Sequence, residues 1–179
     1  MRRKLLTGAA LAAGVFLYVK GRSVSIPKGA TAVRPFILKK YLGTWYELAH
    51  LDYRFESHMN NVSSTYSLKP GGKIEVDSKG FDETLKKWKI FNGKAKFVKD
   101  KAEGRFMISF FPFMYVGHNV IDITDAYDYA LIAGDSLHYL WIFSRTTTIP
   151  ENVKMRFLTK AKALGYDVKA LRWTKHDAA

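Results

Sequence analysis

The 179-residue sequence contains no cysteine. That absence excludes a disulfide framework, a thiolate nucleophile, a cysteine-ligated zinc and an anchor built by acylating cysteine. The chain is accordingly expected not to be a cysteine-anchored lipoprotein. Histidine is sparse: His50, His58, His118, His138 and His176 are scattered, with no His-x-His or His-Glu-x-x-His. A glycine-rich phosphate loop and a Gly-x-Ser-x-Gly elbow are absent too. No convergent acid, base and nucleophile or metal site emerges, so neither an enzyme nor a bound cofactor is expected. Acidic residues are in short supply, 16 against 29 Lys and Arg, for a formal net charge of +13. Five of those positive charges (Arg2, Arg3, Lys4, Lys20, Arg22) flank the first apolar stretch, which leaves +8 on the remainder. A basic surface favours anionic partners. Basic-plus-aromatic motifs of the kind that make nucleic-acid binding specific are missing, so an anionic membrane surface is expected instead.

Long apolar runs are also lacking, apart from the uncharged stretch Leu5 to Val19 behind the basic Arg2 to Lys4. Fifteen uncharged residues fall short of the roughly 20 that a helix needs to span a bilayer. Residues 1–22 therefore read as a signal peptide or an N-terminal membrane anchor for export. Residues 23–35 have the composition of a linker, and residues 36–176 form one domain.

What the sequence does contain is 47% hydrophobic and 15% aromatic residues, enough for a sizeable single core. From Thr44 onward it alternates with period two between turn residues. The predicted strands are Thr44 to Leu51, Val62 to Lys69, Lys73 to Lys79, Lys87 to Val98, Gly104 to Phe111, Gly117 to Thr124, Tyr127 to Gly134 and Leu137 to Ser144. Pro70-Gly71-Gly72 and Gly134-Asp135-Ser136 supply turns between neighbours. Eight short strands in a meander predict an all-β, antiparallel, up-and-down barrel, because closure removes the edge strands. After Pro150 the period changes: Val153, Phe157, Ala161 and Leu164 fall at helical spacing, with Gly165 as a stop. One C-terminal helix packed outside the barrel is expected, followed by a short strand from Leu171 to Thr174. Phe111 to Tyr115 is aromatic without alternation and is expected at the open rim.

Three motifs occur in order. Gly43-Thr44-Trp45 sits in the phrase YLGTWYELAHLDYRFE, Thr124-Asp125-Ala126-Tyr127 follows, and Ser144-Arg145-Thr146 comes after Tyr139-Leu140-Trp141-Ile142. With these blocks the chain, from about Phe36 to Trp173, resembles the lipocalin family. The likeness is to the group that holds the bacterial outer-membrane lipocalins, apolipoprotein D and the plant temperature-induced lipocalins. The resemblance implies an eight-stranded barrel whose floor is closed by Trp45 with Arg145 stacked across it. Gly43, Thr124, Asp125 and Tyr127 complete that structural closure. It also implies a binding protein for a lipid of the fatty acid or lysophospholipid class, or a similar hydrophobic small molecule, in the bacterial cell envelope, facing the periplasm. The domain would be soluble there after cleavage or anchored by residues 5–19, and would serve membrane maintenance.

Counting in twos from Arg145 places Phe143, Trp141 and Tyr139 on the inner face of the last strand. Phe106, Ile108 and Phe110 form an apolar wall at the same period. Tyr66 and Trp141 match pocket residues of a family member, while Ser78 stands where that member has an asparagine. Glu47 shares parity with Trp45, so its carboxylate needs a partner inside and could tune the polar end of the site. Asp122 is ambiguous in the same way. Two rivals remain at this point. One is a haem binder, which would need His118 or His138 inside although exposure is the commoner state of histidine; the other is an envelope interaction module with no carrier role.

Overall fold

The computed structural model describes residues 24–51, 58–111 and 114–177. Leader residues 1–22 and the rim pair Pro112-Phe113 therefore lie outside the described residues. The strands are β1 (Gly43–Leu51), β2 (Met59–Lys69), β3 (Lys73–Asp82), β4 (Lys87–Phe97), β5 (Arg105–Phe111), β6 (Met114–Ile123), β7 (Tyr129–Ala133), β8 (Leu140–Ser144) and β9 (Leu171–Trp173). Every pairing is antiparallel, and neighbours run β2-β3-β4-β5-β6-β7-β8-β1-β9 with a further β1–β2 pairing. The eight-stranded barrel is thus closed, with β9 as an extra stave. A short helix α1 (Leu38–Tyr41) lies before β1, and α2 (Glu151–Ala163) follows β8.

Period-two alternation divides the apolar residues into two cores. One fills the barrel around Trp45, Tyr41, Phe106 and Ile132. The other lies outside, where Leu131, Leu140 and Ile142 meet Phe157 and Ala161 of α2. The helix begins after Pro150, carries Glu151 in its first turn and Lys160 and Lys162 in its last. It stops at Gly165, whose φ of +95° an L side chain rarely adopts. Asp122 faces this helix, receiving Arg156 Nη2 at 3.0 Å and Lys160 Nζ at 3.3 Å. The reason is a register shift between Val120 and Asp122, which turns the carboxylate outward. Replacing Asp122 by Ala is expected to cost about 0.5–1 kcal/mol in urea unfolding, since both partners are well exposed.

The stretch with linker composition is docked on the barrel. Val33 N donates to Val120 O and Gly104 N to Val33 O, while Ser25 bonds Asp135 and accepts from Asn119 Nδ2.

The barrel wall is irregular at one place. β1 pairs with β2 only from Gly43 to Tyr46, and from Ala49 to Leu51 it pairs with β9 instead. The chain after β9 then reaches β2, where Asn61 N donates to Lys175 O and Asn61 and Asp177 exchange two further bonds. The C-terminal segment fills the gap that opens between β1 and β2 toward the mouth.

Candidate functional site

The floor is built from backbone carbonyls and rings. Gly43 holds φ +95° at the entry to β1, so the chain can turn under the barrel there. Trp45, fully buried, donates its indole N–H to Tyr41 O at 2.8 Å. The Arg145 guanidinium lies 3.8 Å above the indole ring. Its nitrogens donate to the carbonyls of Lys40, Leu42 and Thr44 at 2.8 Å each, with longer bonds to Tyr41 and Tyr127. One side chain thus ties α1, the start of β1 and the β6–β7 turn together. In that turn Thr124 Oγ1 accepts from the Asp128 and Tyr129 amides, and the Tyr127 hydroxyl accepts from Ile37 N. Asp125 is exposed.

Above the floor a polar group is embedded among rings. The expectation of an exposed His118 is corrected: its side chain is buried, opposite Phe106 in the β5–β6 ladder. Its Nε2 lies 2.9 Å from the Tyr41 hydroxyl and 3.4 Å from that of Tyr66, and the imidazole is ringed by Tyr41, Tyr66, Phe106 and Phe143. Desolvation pushes the His118 pKa down to about 3 and raises both phenols, so all three groups stay neutral at pH 7. Nε2 is thus engaged by phenols, with aromatic rings packed around the imidazole. His138 is exposed. Among the described residues no cluster of three or more His, Asp or Glu could hold a metal.

The residues predicted to line a pocket divide by depth. Tyr66, Phe106, Ile108 and Phe143 are buried in the packed lower half. Phe110 and Trp141 lie higher and are only partly covered. Tyr139 precedes β8 rather than belonging to it, but stacks on Trp141 with planes 9° apart. The missing Cβ of Gly134 is what lets Tyr139 approach so closely. Ser78 bonds Ser64 Oγ at 2.7 Å on the same inner face. Phe91, which sequence reading missed, pairs with Ser78, meets Phe110 edge to face and remains 37% exposed. Its place on the inner face could have been counted from Ala95 in twos.

At the mouth end of β1, a register shift between Glu47 and Ala49 puts both Glu47 and His50 opposite inward residues of β8, Phe143 and Trp141. Glu47 is buried and accepts from His50 Nδ1 at 2.8 Å and from Thr174 Oγ1 at 2.9 Å. The partner that its carboxylate requires is thus a histidine three residues on, not an arginine or lysine. Beside this pair a cleft of about 450 Å³ opens between β9 and the start of β2, with His50, His58, Asn60, Glu83, Arg172 and Lys175 in its lining.

A closed barrel plugged at one end by rings, with the inward rings of Phe91, Phe110 and Trp141 only partly covered toward the other, is the build of a protein that holds a small hydrophobic molecule. The lipocalin-like domain family matches residues 36–176, and the chain belongs to the lipocalin family. It is 40% identical to the outer membrane lipoprotein Blc of Citrobacter freundii, over 98% of this chain and 99% of that protein. Blc of Escherichia coli (strain K12) is likewise 40% identical, over 96% and 97% of the two chains. Temperature-induced lipocalin-1 of Arabidopsis thaliana is 31% identical over 82% and 83%. The solved structure of insecticyanin from the tobacco hornworm Manduca sexta shares the fold, with a TM-score of 0.70 at 17% identity over 87% and 88%. Lipocalins are binding and transport proteins for small hydrophobic molecules, and the bacterial relatives fit a place in the cell envelope.

These relatives also correct an expectation. The chain was expected not to be a cysteine-anchored lipoprotein because it has no cysteine, yet it aligns over nearly its whole length with proteins named outer membrane lipoproteins. The missing residue type does not set the chain apart from that group.

Proposed function

We propose that the chain binds a lipid of the fatty acid or lysophospholipid class without turning it over, and carries or stores it in the cell envelope. The acyl chain lies in the upper half of the barrel, against Phe91, Phe110, Tyr139 and Trp141, and stops at the layer formed by Tyr66, His118 and Phe143. The observation that carries this reading is the inward-facing, incompletely covered Phe91 at the mouth. An aromatic ring left wet inside a closed sheet is a surface that a hydrophobic ligand dries. The polar headgroup rests at the rim by the cleft that His58, Arg172 and Lys175 line.

Ten buried methylenes are worth about 8 kcal/mol at ~0.8 kcal/mol each before ordering costs, which suffices for micromolar binding. Lipid extracted from the purified full-length protein and identified by mass spectrometry tests the ligand class. Titration with a fluorescent fatty acid should show Trp141→Ala binding about tenfold more weakly. Absence of extractable lipid, together with no binding of the fluorescent acid, would sink the reading.

A further inference from the structure

β4 is mostly exposed: only Gly93 and Ala95 are buried along its 11 residues, and both lie in its second half. The ladder to β5 covers Lys94 to Phe97, whereas the ladder to β3 continues all the way to Lys87. Among the described residues, the end of the β3–β4 hairpin therefore projects past its β5 neighbour at the mouth. This projecting end carries apolar side chains on its outer face and tip: Ile90 is 67% exposed, Leu85 54% and Trp88 50%. Phe81 packs edge to face on Trp88, and Lys79 Nζ sits 5.4 Å from the Trp88 ring centre. Of the four lysines of β4, Lys87 and Lys89 lie on the projecting end, Lys89 paired with Asp82 at 2.6 Å, while Lys94 and Lys96 lie within the ladder to β5; the strand has no acidic residue. Exposed lysine on a projecting strand discourages pairing with another chain, but that role gives no reason to expose Trp, Ile and Leu beside it.

We propose that the projecting β3–β4 hairpin is a docking surface for an anionic phospholipid bilayer. Trp88, Ile90 and Leu85 enter the interface, and Lys79 beside Trp88, with Lys87 and Lys94 along β4, meets the headgroups. Tryptophan favours that depth because its ring is apolar and its N–H polar, and lysine stems reach back to the charged layer. Cationic side chains beside apolar ones are the combination that an anionic interface attracts. The occupant is a bilayer because the charge complements it and because the surface adjoins the mouth. Phe91 lies between Ile90 and Asn92 on the same strand, facing inward, so a docked hairpin lets an acyl chain pass from bilayer to barrel without crossing water. This inference takes its ligand from the proposed function, but the surface can be tested separately.

The test uses the full chain with vesicles of phosphatidylethanolamine and brominated phosphatidylglycerol, reading tryptophan quenching in the wild type and in Trp88→Phe and Trp141→Phe. Quenching that disappears in Trp88→Phe, and falls at least about threefold in Lys87→Glu/Lys94→Glu, is the expected result. Replacing phosphatidylglycerol by brominated phosphatidylcholine should weaken it similarly. Because the signal is local to Trp88, binding of the chain by any other segment does not produce it. If Trp88 is unquenched while Trp141 is quenched, docking is overturned and lipid binding in the barrel stands. The reverse pattern supports docking and leaves the ligand to the fatty-acid titration, whereas no quenching of either overturns docking. Sedimentation showing a dimer that Ile90→Lys dissolves would assign the surface to a second copy and likewise overturn it.

Discussion

Arg145→Ala is expected to lower the stability of the protein by about 3 kcal/mol, read as a shift of the urea midpoint at unchanged slope. The size follows from what one guanidinium does. It bonds the carbonyls of Lys40, Tyr41, Leu42, Thr44 and Tyr127 and covers the indole of Trp45. Charge-assisted hydrogen bonds are worth about 1.5–3 kcal/mol each, and the cation-π contact about 1 kcal/mol. Water entering the vacated space repairs part of the loss, which holds the net figure well below the sum. Arg145→Lys should recover less than half, because an ammonium cannot donate in a planar fork to carbonyls on three segments while lying flat on a ring. A loss below about 1 kcal/mol for Arg145→Ala would mean that the floor is held by burial of Trp45 and Tyr41 alone.

Acid should destabilise the fold through His118. Its pKa is about 3 in the folded protein, against an ordinary value near 6.5, because burial disfavours the imidazolium. Between those values the unfolded chain binds a proton that the native state refuses, so stability falls as pH drops through that window and this contribution levels off below pH 3. The penalty from this one residue is about 3 kcal/mol at pH 4. His118→Gln keeps an acceptor for the Tyr41 hydroxyl and removes the titration. Urea unfolding at pH 7, 5 and 4 should therefore give a shallower decline for the variant, with the carboxylates, common to both proteins, cancelling in the comparison. Parallel declines would show that His118 gains water or a counter-charge on acidification.

Much of the architecture was legible beforehand because it is local. The eight strands, the helix after Pro150 and the stop at Gly165 follow from period and turn chemistry, and their observed ends differ by only a few residues. The floor was legible because Gly43, Trp45 and Arg145 lie in motifs. Tyr139 was placed in the last strand, whereas β8 begins at Leu140 and Tyr139 lies just before it, against Gly134. His118 shares parity with Val116 and Val120, so counting could have turned it inward. Composition argued otherwise, and the phenol of Tyr41 that makes its burial tolerable is 77 positions away. The Asp122 and Glu47 pairs were hidden for a different reason: bulges at Val120/Asp122 and Glu47/Ala49 shift the register, and pattern does not announce a bulge.

By itself, then, the sequence determined the number of barrel strands and the alternation along each, because both depend on neighbours two residues apart and on turn residues. Tertiary structure alone decided how deep each inward side chain lies. It separated the packed Phe106, Ile108 and Tyr66 from the open Phe91, Phe110 and Trp141, put the C-terminal segment into the gap between β1 and β2, and left the β3–β4 hairpin standing clear of β5. Depth along a barrel is set by strand tilt and stagger, which are properties of the closed sheet and of no single strand.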